Sequence, residues 1–182
     1  MNKLMKTIKD TLSIFSSSKG FTLLELLVVV LIIGILSGIA LPQYKMAVLK
    51  SKYATMLDIA RVYREAQQRY YIIYNSYTKN FSELDINFSG ISSDGKNLTF
   101  AYGYCTMGWW EDTGIICILG RETSGKRILA YQEHFASGAR KCRVLNAIPN
   151  NLETLEDRIC QAETKKLAPI GGGNSSSHYY EY

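Results

Sequence analysis

Apolar and polar positions are distributed unevenly along the 182 residues. From Phe21 to Leu41 the chain reads FTLLELLVVVLIIGILSGIAL, with Glu25 as its only charge. As a helix of about 1.5 Å rise per residue this run spans roughly 31 Å, close to the ~30 Å hydrocarbon core of a bilayer. Beyond Pro42 the pattern narrows to one apolar stripe, in which Met56, Ile59, Val62, Tyr63, Ala66, Tyr70 and Ile73 recur at steps of three and four. Asp58 precedes Arg61 and Glu65 precedes Arg69 at helical spacing, so this half expects water on its other face. Asn75-Ser76 ends the pattern. Together these runs predict one helix over 21–74, roughly 75–80 Å long, with Pro42 as the one internal breaker. Such a helix is too long for one globular core and reads as a spine that packs on other spines.

Residues 75–97 are rich in Ser, Asn, Asp and Gly, with Phe81, Leu84, Ile86 and Phe88 as anchors, and predict a loop with a short helical turn. Three strand-like runs follow, 98–107, 114–119 and 127–134, with Ser124-Gly125 as a turn. Short connections imply an antiparallel meander whose apolar face lies on the helix stripe. The expected fold class is therefore α+β: a long N-terminal helix, half transmembrane and half amphipathic, packed against a small antiparallel sheet. The head is expected over 98–168. Residues 169–182, which include Gly171-Gly172-Gly173-Asn174-Ser175-Ser176-Ser177, read as a flexible tail.

An apolar share of 47% with 20% charged residues excludes a disordered chain. A mean hydropathy of −0.06 excludes a polytopic membrane protein. Of the net charge of +5, residues 1–20 carry +3, from Lys3, Lys6, Lys9 and Lys19 against Asp10. Basicity thus argues topology rather than nucleic-acid binding, and keeps 1–20 in the cytoplasm while the rest crosses. A smaller group, Arg140, Lys141 and Arg143 with Lys126 and Arg127, reads as a solvated basic face, so no specific nucleic acid is expected. An ordinary secretory signal has a shorter apolar region and small residues at its cut, whereas this run ends in Leu41-Pro42-Gln43-Tyr44.

The four cysteines, Cys105, Cys117, Cys142 and Cys160, form no CxxC pair, and only two histidines are present. No metal site is expected. An even count beyond an export segment reads as two disulfides, and three pairings are open. Glu133, His134 and Ser137 are near in sequence, but alternation along a strand sends 133 and 134 to opposite faces. With no G-x-S-x-G, phosphate loop or HExxH, neither catalysis nor a cofactor is expected. Trp109-Trp110-Glu111-Asp112 reads as hairpin-tip packing.

The junction before the apolar run is more specific. Lys19-Gly20-Phe21-Thr22-Leu23-Leu24-Glu25, followed by an unbroken apolar helix and Pro42-Gln43-Tyr44, resembles the class III signal of type IV pilins and type II secretion pseudopilins over about residues 19–70. The resemblance implies a basic leader, 1–20, removed after Gly20 on the cytoplasmic side by a membrane prepilin peptidase. The same enzyme would N-methylate Phe21, and an inner-membrane assembly platform would extract the mature chain into a filament of homologous subunits. Glu25 would then be the fifth mature residue and would pair with the Phe21 amine of a neighbour. Pro42 falls where family members kink or melt the helix, and 75–97 matches the αβ loop. Residues 142–160 resemble the disulfide-bounded loop of many type IV pilins, which favours pairing Cys142 with Cys160 and Cys105 with Cys117. The expected function is a structural pilus subunit stored in the bacterial inner membrane and assembled on the cell surface. A secretion pseudopilin with a periplasmic pseudopilus is the alternative within the class. A membrane-anchored binding or enzymatic domain is the alternative outside it.

Overall fold

The computed structural model describes residues 20–108, 113–120, 128–147, 151–170 and 177–182. The leader up to residue 19, the Trp109–Asp112 segment, the turn at Ser124-Gly125, Lys126, Arg127 and the Gly171–Ser176 linker lie outside these. The chain divides into two compact units, 1–44 and 45–182. Helix α1, Leu23–Tyr74, is a single 52-residue element with Pro42 inside it. It starts two residues later than the apolar pattern implies, because Thr22 acts as its cap.

In the second unit α1 buries Tyr53, Met56, Ala60, Tyr63, Ala66 and Gln67. This differs from the stripe read from the sequence. Val62 and Ile73 lie off the buried face, at 37% and 73% exposure. Gln67 takes their place in the core because its amide is fully matched: Nε2 donates to the Thr78 carbonyl at 2.7 Å and Oε1 accepts from the Thr78 amide at 3.1 Å. That reciprocal pair meets the requirement that a buried polar group be hydrogen-bonded. Beyond α1, Asn75 caps the helix in the left-handed region at φ 51°, and the short 3-10 turn Phe81–Glu83 plants Phe81 against Tyr63, ring centroids 4.5 Å apart. Arg69 turns to Asp85 rather than to Glu65, with two donors at 2.5 and 2.7 Å.

The sheet is a six-stranded antiparallel meander in sequence order: β1 Asn97–Phe100, β2 Gly103–Met107, β3 Gly114–Leu119, β4 Ile128–His134, β5 Arg140–Leu145 and β6 Ser177–Glu181. The expected single strand over 98–107 is two strands joined at Ala101-Tyr102, with Phe100 opposite Gly103. Gly103 is required there: a Cβ would sit 1.9 Å from the Ile118 carbonyl oxygen on β3. β3 is buried along its whole length. One face joins the core under α1, and on the other Ile116 and Ile118 pack with Ile128, Ala130, Tyr104 and Leu145.

Three elements differ from the sequence-based expectation. Arg140–Leu145, which carries most of the basic group read as a solvated face, is a strand of the sheet. Its arginines lie on tyrosine rings, Arg143 4.8 Å from the Tyr179 centroid and Arg140 5.6 Å from that of Tyr182. Leu155–Thr164 is a helix, α2, inside the loop expected to be irregular. Within the expected flexible tail, Ser177–Glu181 is the last strand and buries Tyr180 completely.

What fixes this last strand is a buried carboxylate. Asp157 has no exposed surface. Its Oδ1 accepts from the Tyr180 hydroxyl at 2.9 Å and bonds His178 Nδ1 at 2.8 Å. Oδ2 accepts from the Thr154 hydroxyl, and Thr154 Oγ1 accepts the Asp157 amide at 3.2 Å. One side chain thus links Thr154, the cap of α2, to β6. The structure joins Cys142 on β5 to Cys160 on α2 and Cys105 to Cys117 across β2 and β3, so α2 is covalently fixed to the strand that β6 pairs with. The Tyr182 hydroxyl, 2.8 Å from that of Tyr53, ties the end of β6 to α1.

Two outcomes follow from this arrangement. Asp157→Ala leaves the His178 and Tyr180 donors buried without their acceptor, and is expected to lower stability by at least about 2 kcal/mol in denaturant melts. Hydrogen exchange in that variant should lose protection at Ser177–Glu181 first; unchanged protection there would remove Asp157 from its anchoring role. Reduction should open the head but spare residues 23–44 of α1, with loss of the 142–160 link contributing about 3 kcal/mol on the chain-entropy account. Circular dichroism and thermal melts with and without reductant check this.

Candidate assembly segment

The segment singled out by the sequence begins at Gly20. Thr22 and Glu25 form a reciprocal cap at the start of α1. Glu25 Oε2 accepts from the Thr22 amide at 2.9 Å and the Thr22 hydroxyl at 2.7 Å, and Thr22 Oγ1 accepts the Glu25 amide at 3.2 Å. This is the T-x-x-E capping box, which satisfies helix-start donors that have no intrahelical partner. Before any partner arrives, Glu25 therefore serves its own helix. Thr22 thus shapes the start of the segment beside Gly20, Phe21 and Glu25, and the sequence signal for it is the three-residue spacing to Glu25.

Downstream, the apolar run has no cover. Every residue from 20 to 45 is exposed, with Phe21 at 75% and Leu23 at 84%. Among the described residues α1 alone is long and apolar enough to cross a membrane. Gly34 and Gly38 stand four apart on it, and a Cβ at either would meet nothing within 4 Å, so one face carries a notch where another backbone can approach closely. Ser37 returns its hydroxyl to the Ile33 carbonyl at 2.7 Å and makes no polar demand on its surroundings. The helix is assigned without a break through Pro42, although a proline there removes one backbone donor.

The residues considered for catalysis do not converge. Ser137 does reach His134, its amide and hydroxyl lying 3.0 and 2.8 Å from Nδ1, with Thr113 Oγ1 2.9 Å from Nε2. The turn after β4 brings them together, which alternation along the strand did not anticipate. Glu133 faces away into the core, where it meets Arg64 at 3.5 Å and accepts from the Tyr131 hydroxyl at 2.7 Å. Among the described residues no cluster of His, Cys, Asp and Glu is placed to hold a metal ion.

The family model described as the prokaryotic N-terminal methylation motif matches residues 15–41, the stretch that carries Gly20, the capping box and the uncovered apolar run. The N-terminal segment is similar to that of type IV pilins. The chain is 45% identical over 53 residues to the fimbrial protein EcpC of Eikenella corrodens, covering 29% of this chain and 35% of that one. It is 30% identical over 84 residues to the type IV major pilin protein PilE1 of Neisseria gonorrhoeae, 46% of this chain and 36% of that one. With the type IV major fimbrial protein FimA of Dichelobacter nodosus it shares 50% over 43 residues, 24% and 28% of the two chains. The chain thus spans about a third of the length of the curated pilins it matches. No solved structure matches it.

Gly20 is exposed, and a Cβ there meets nothing within 4 Å. Gly20→Val therefore does not strain the chain itself, so a change in processing in that variant would report on recognition of the residue rather than on lost packing. Full-length precursor is expected to accumulate in membranes of the Gly20→Val strain. Mass spectrometry detecting a chain that begins at Phe21 in that strain would show that Gly20 is not the cleavage determinant.

Proposed function

We propose that this protein is a structural subunit of a type IV pilus-like filament. It is held in the bacterial inner membrane by residues 21–41, with residues 1–20 in the cytoplasm. A prepilin peptidase cuts after Gly20 and methylates Phe21, and an assembly platform then draws the mature chain into the fibre, where it performs no catalysis. The observation that carries this reading is a bilayer-length apolar helix that none of the described residues covers, with one acid at the fifth position after Gly20. The matched relatives are named as pilins and fimbrial proteins, which sets the pilus above the secretion pseudopilus.

Glu25 takes two roles in succession. In the stored precursor it caps α1 with Thr22. Cleavage creates an amine at Phe21, and as apolar helices pack in the fibre that amine is desolvated. The carboxylate of a neighbouring copy then neutralises it, since an unpaired charge in such surroundings is costly. Pro42 lies where the helix loosens as subunits pack, because the i−4 carbonyl at Gly38 lacks an amide partner there.

Glu25→Leu, expressed as the sole copy, should still insert and be cut. It should enter sheared fibres poorly, because removing one partner of a buried pair costs about 3–5 kcal/mol. Thr22→Ala removes the cap, worth about 1 kcal/mol, but keeps the carboxylate, and should assemble. Wild-type fibre yield from Glu25→Leu would leave the acid as a helix cap alone and end the intersubunit account.

A further inference from the structure

The last turn of α1 carries large side chains that the head does not use. Ile73 is 73% exposed and Tyr74 61% exposed. They stand over a cleft of about 180 Å³ whose apolar wall is completed by Tyr70 and Leu84. Tyr70 and Tyr74, one helical turn apart, have ring centroids 4.4 Å apart. The opposite rim is polar. The chain returning through the 3-10 turn places Glu83 and Asp85 there, and Arg69 forks onto Asp85 through Nε and Nη2. Glu83 is held in turn by the Thr78 hydroxyl and by the Tyr70 hydroxyl at 3.3 Å. The polar rim is therefore pinned by contacts within the head, and the aromatic wall is left facing water.

Size limits what such a cleft can take. Sites that enclose a drug-sized molecule run to about 300–1,000 Å³, so this one accepts a single ring whose remaining atoms stay in solvent. At 4.4 Å with planes 35° apart the two rings lie on one another, and the outer face of the more exposed Tyr74 is left for a surface of polarised C–H bonds. The Arg69–Asp85 fork and the Glu83 carboxylate present charged hydrogen-bonding groups to an edge bearing hydroxyls. Two carboxylates against one guanidinium disfavour an anion. Arg69 and Asp85 neutralise each other, and Glu83 is already held by the Thr78 and Tyr70 hydroxyls, so the rim offers acceptors and donors suited to hydroxyl groups. We propose that this cleft binds one neutral pyranose ring of a glycan, stacked on the outer face of Tyr74 with its hydroxyl edge on Glu83, Asp85 and Arg69.

Saturation-transfer NMR on the full chain in detergent micelles tests this with the methyl glycosides of glucose, galactose, mannose, N-acetylglucosamine and N-acetylgalactosamine. At least one glycoside should receive saturation at its ring C–H protons. Tyr74→Ala should weaken that binding roughly three- to tenfold, while Tyr74→Phe, which keeps the ring, should retain it. Asp85→Asn should weaken it without abolishing ring contact. Absence of transfer to every glycoside would overturn the proposal, as would binding that Tyr74→Ala leaves unchanged. Saturation of tetramethylammonium in place of the sugars would make the cleft a cation site and would overturn it equally.

Discussion

The constraint on which the rest depends is that no described residue covers the first half of α1. Fifteen large apolar side chains between Phe21 and Leu41 are exposed. Leaving that many in water forfeits on the order of 20 kcal/mol, more than the whole net stability of an ordinary domain. The chain therefore has to exist in lipid or against other helices, and the head has to fold without help from this half. Both conditions are visible. The second unit has its own core, two disulfides and a sheet without crossovers, while the capping box at Thr22 and Glu25 finishes the apolar helix without calling on a partner.

Within the head, cohesion rests on a few polar contacts set into an apolar core. Gln67 and Thr78 fasten α1 to the loop that follows it, Arg64 and Glu133 fasten it to β4, and Asp157 binds α2 to β6. Removing Gln67 or Asp157 leaves buried polar partners unmatched, which is why such groups fix one arrangement rather than merely adding stability. The 142–160 disulfide places α2 where Asp157 can reach the last strand. Cross-link, cap and strand thus form one connected unit at the end of the sheet away from β1.

The long helix, the loop anchors and the first half of the meander were legible because apolar side chains carry them at periods of 3.6 and 2. The later elements were not, because their inward positions are few or polar. β5 turns only Cys142 and Val144 into the core between arginines that hide on tyrosine rings. In β6 the inward residues are His178 and Tyr180, whose partner is a carboxylate rather than a hydrocarbon, and the glycine-rich approach reads as a tail. α2 had a readable start in Thr154-x-x-Asp157, but a disulfide-bounded stretch with few apolar residues offered no stripe to follow it. The error at Val62 and Ile73 has a similar origin. Steps of three and four leave two choices at each turn, and a buried Gln67 cannot be foreseen without Thr78. At the N-terminal segment the order of residues itself carries the resemblance, so the match over 15–41 needs no tertiary information.

The central claim is that the uncovered helix is covered by other copies in a fibre after the leader has gone. Intact-mass and N-terminal analysis of the protein in sheared surface filaments tests it most directly. The account predicts a chain that starts at Phe21, carries a methyl group on its amine, and contains both disulfides. Recovery of this protein solely as an uncut, membrane-bound chain, with none in the filament fraction, would contradict it.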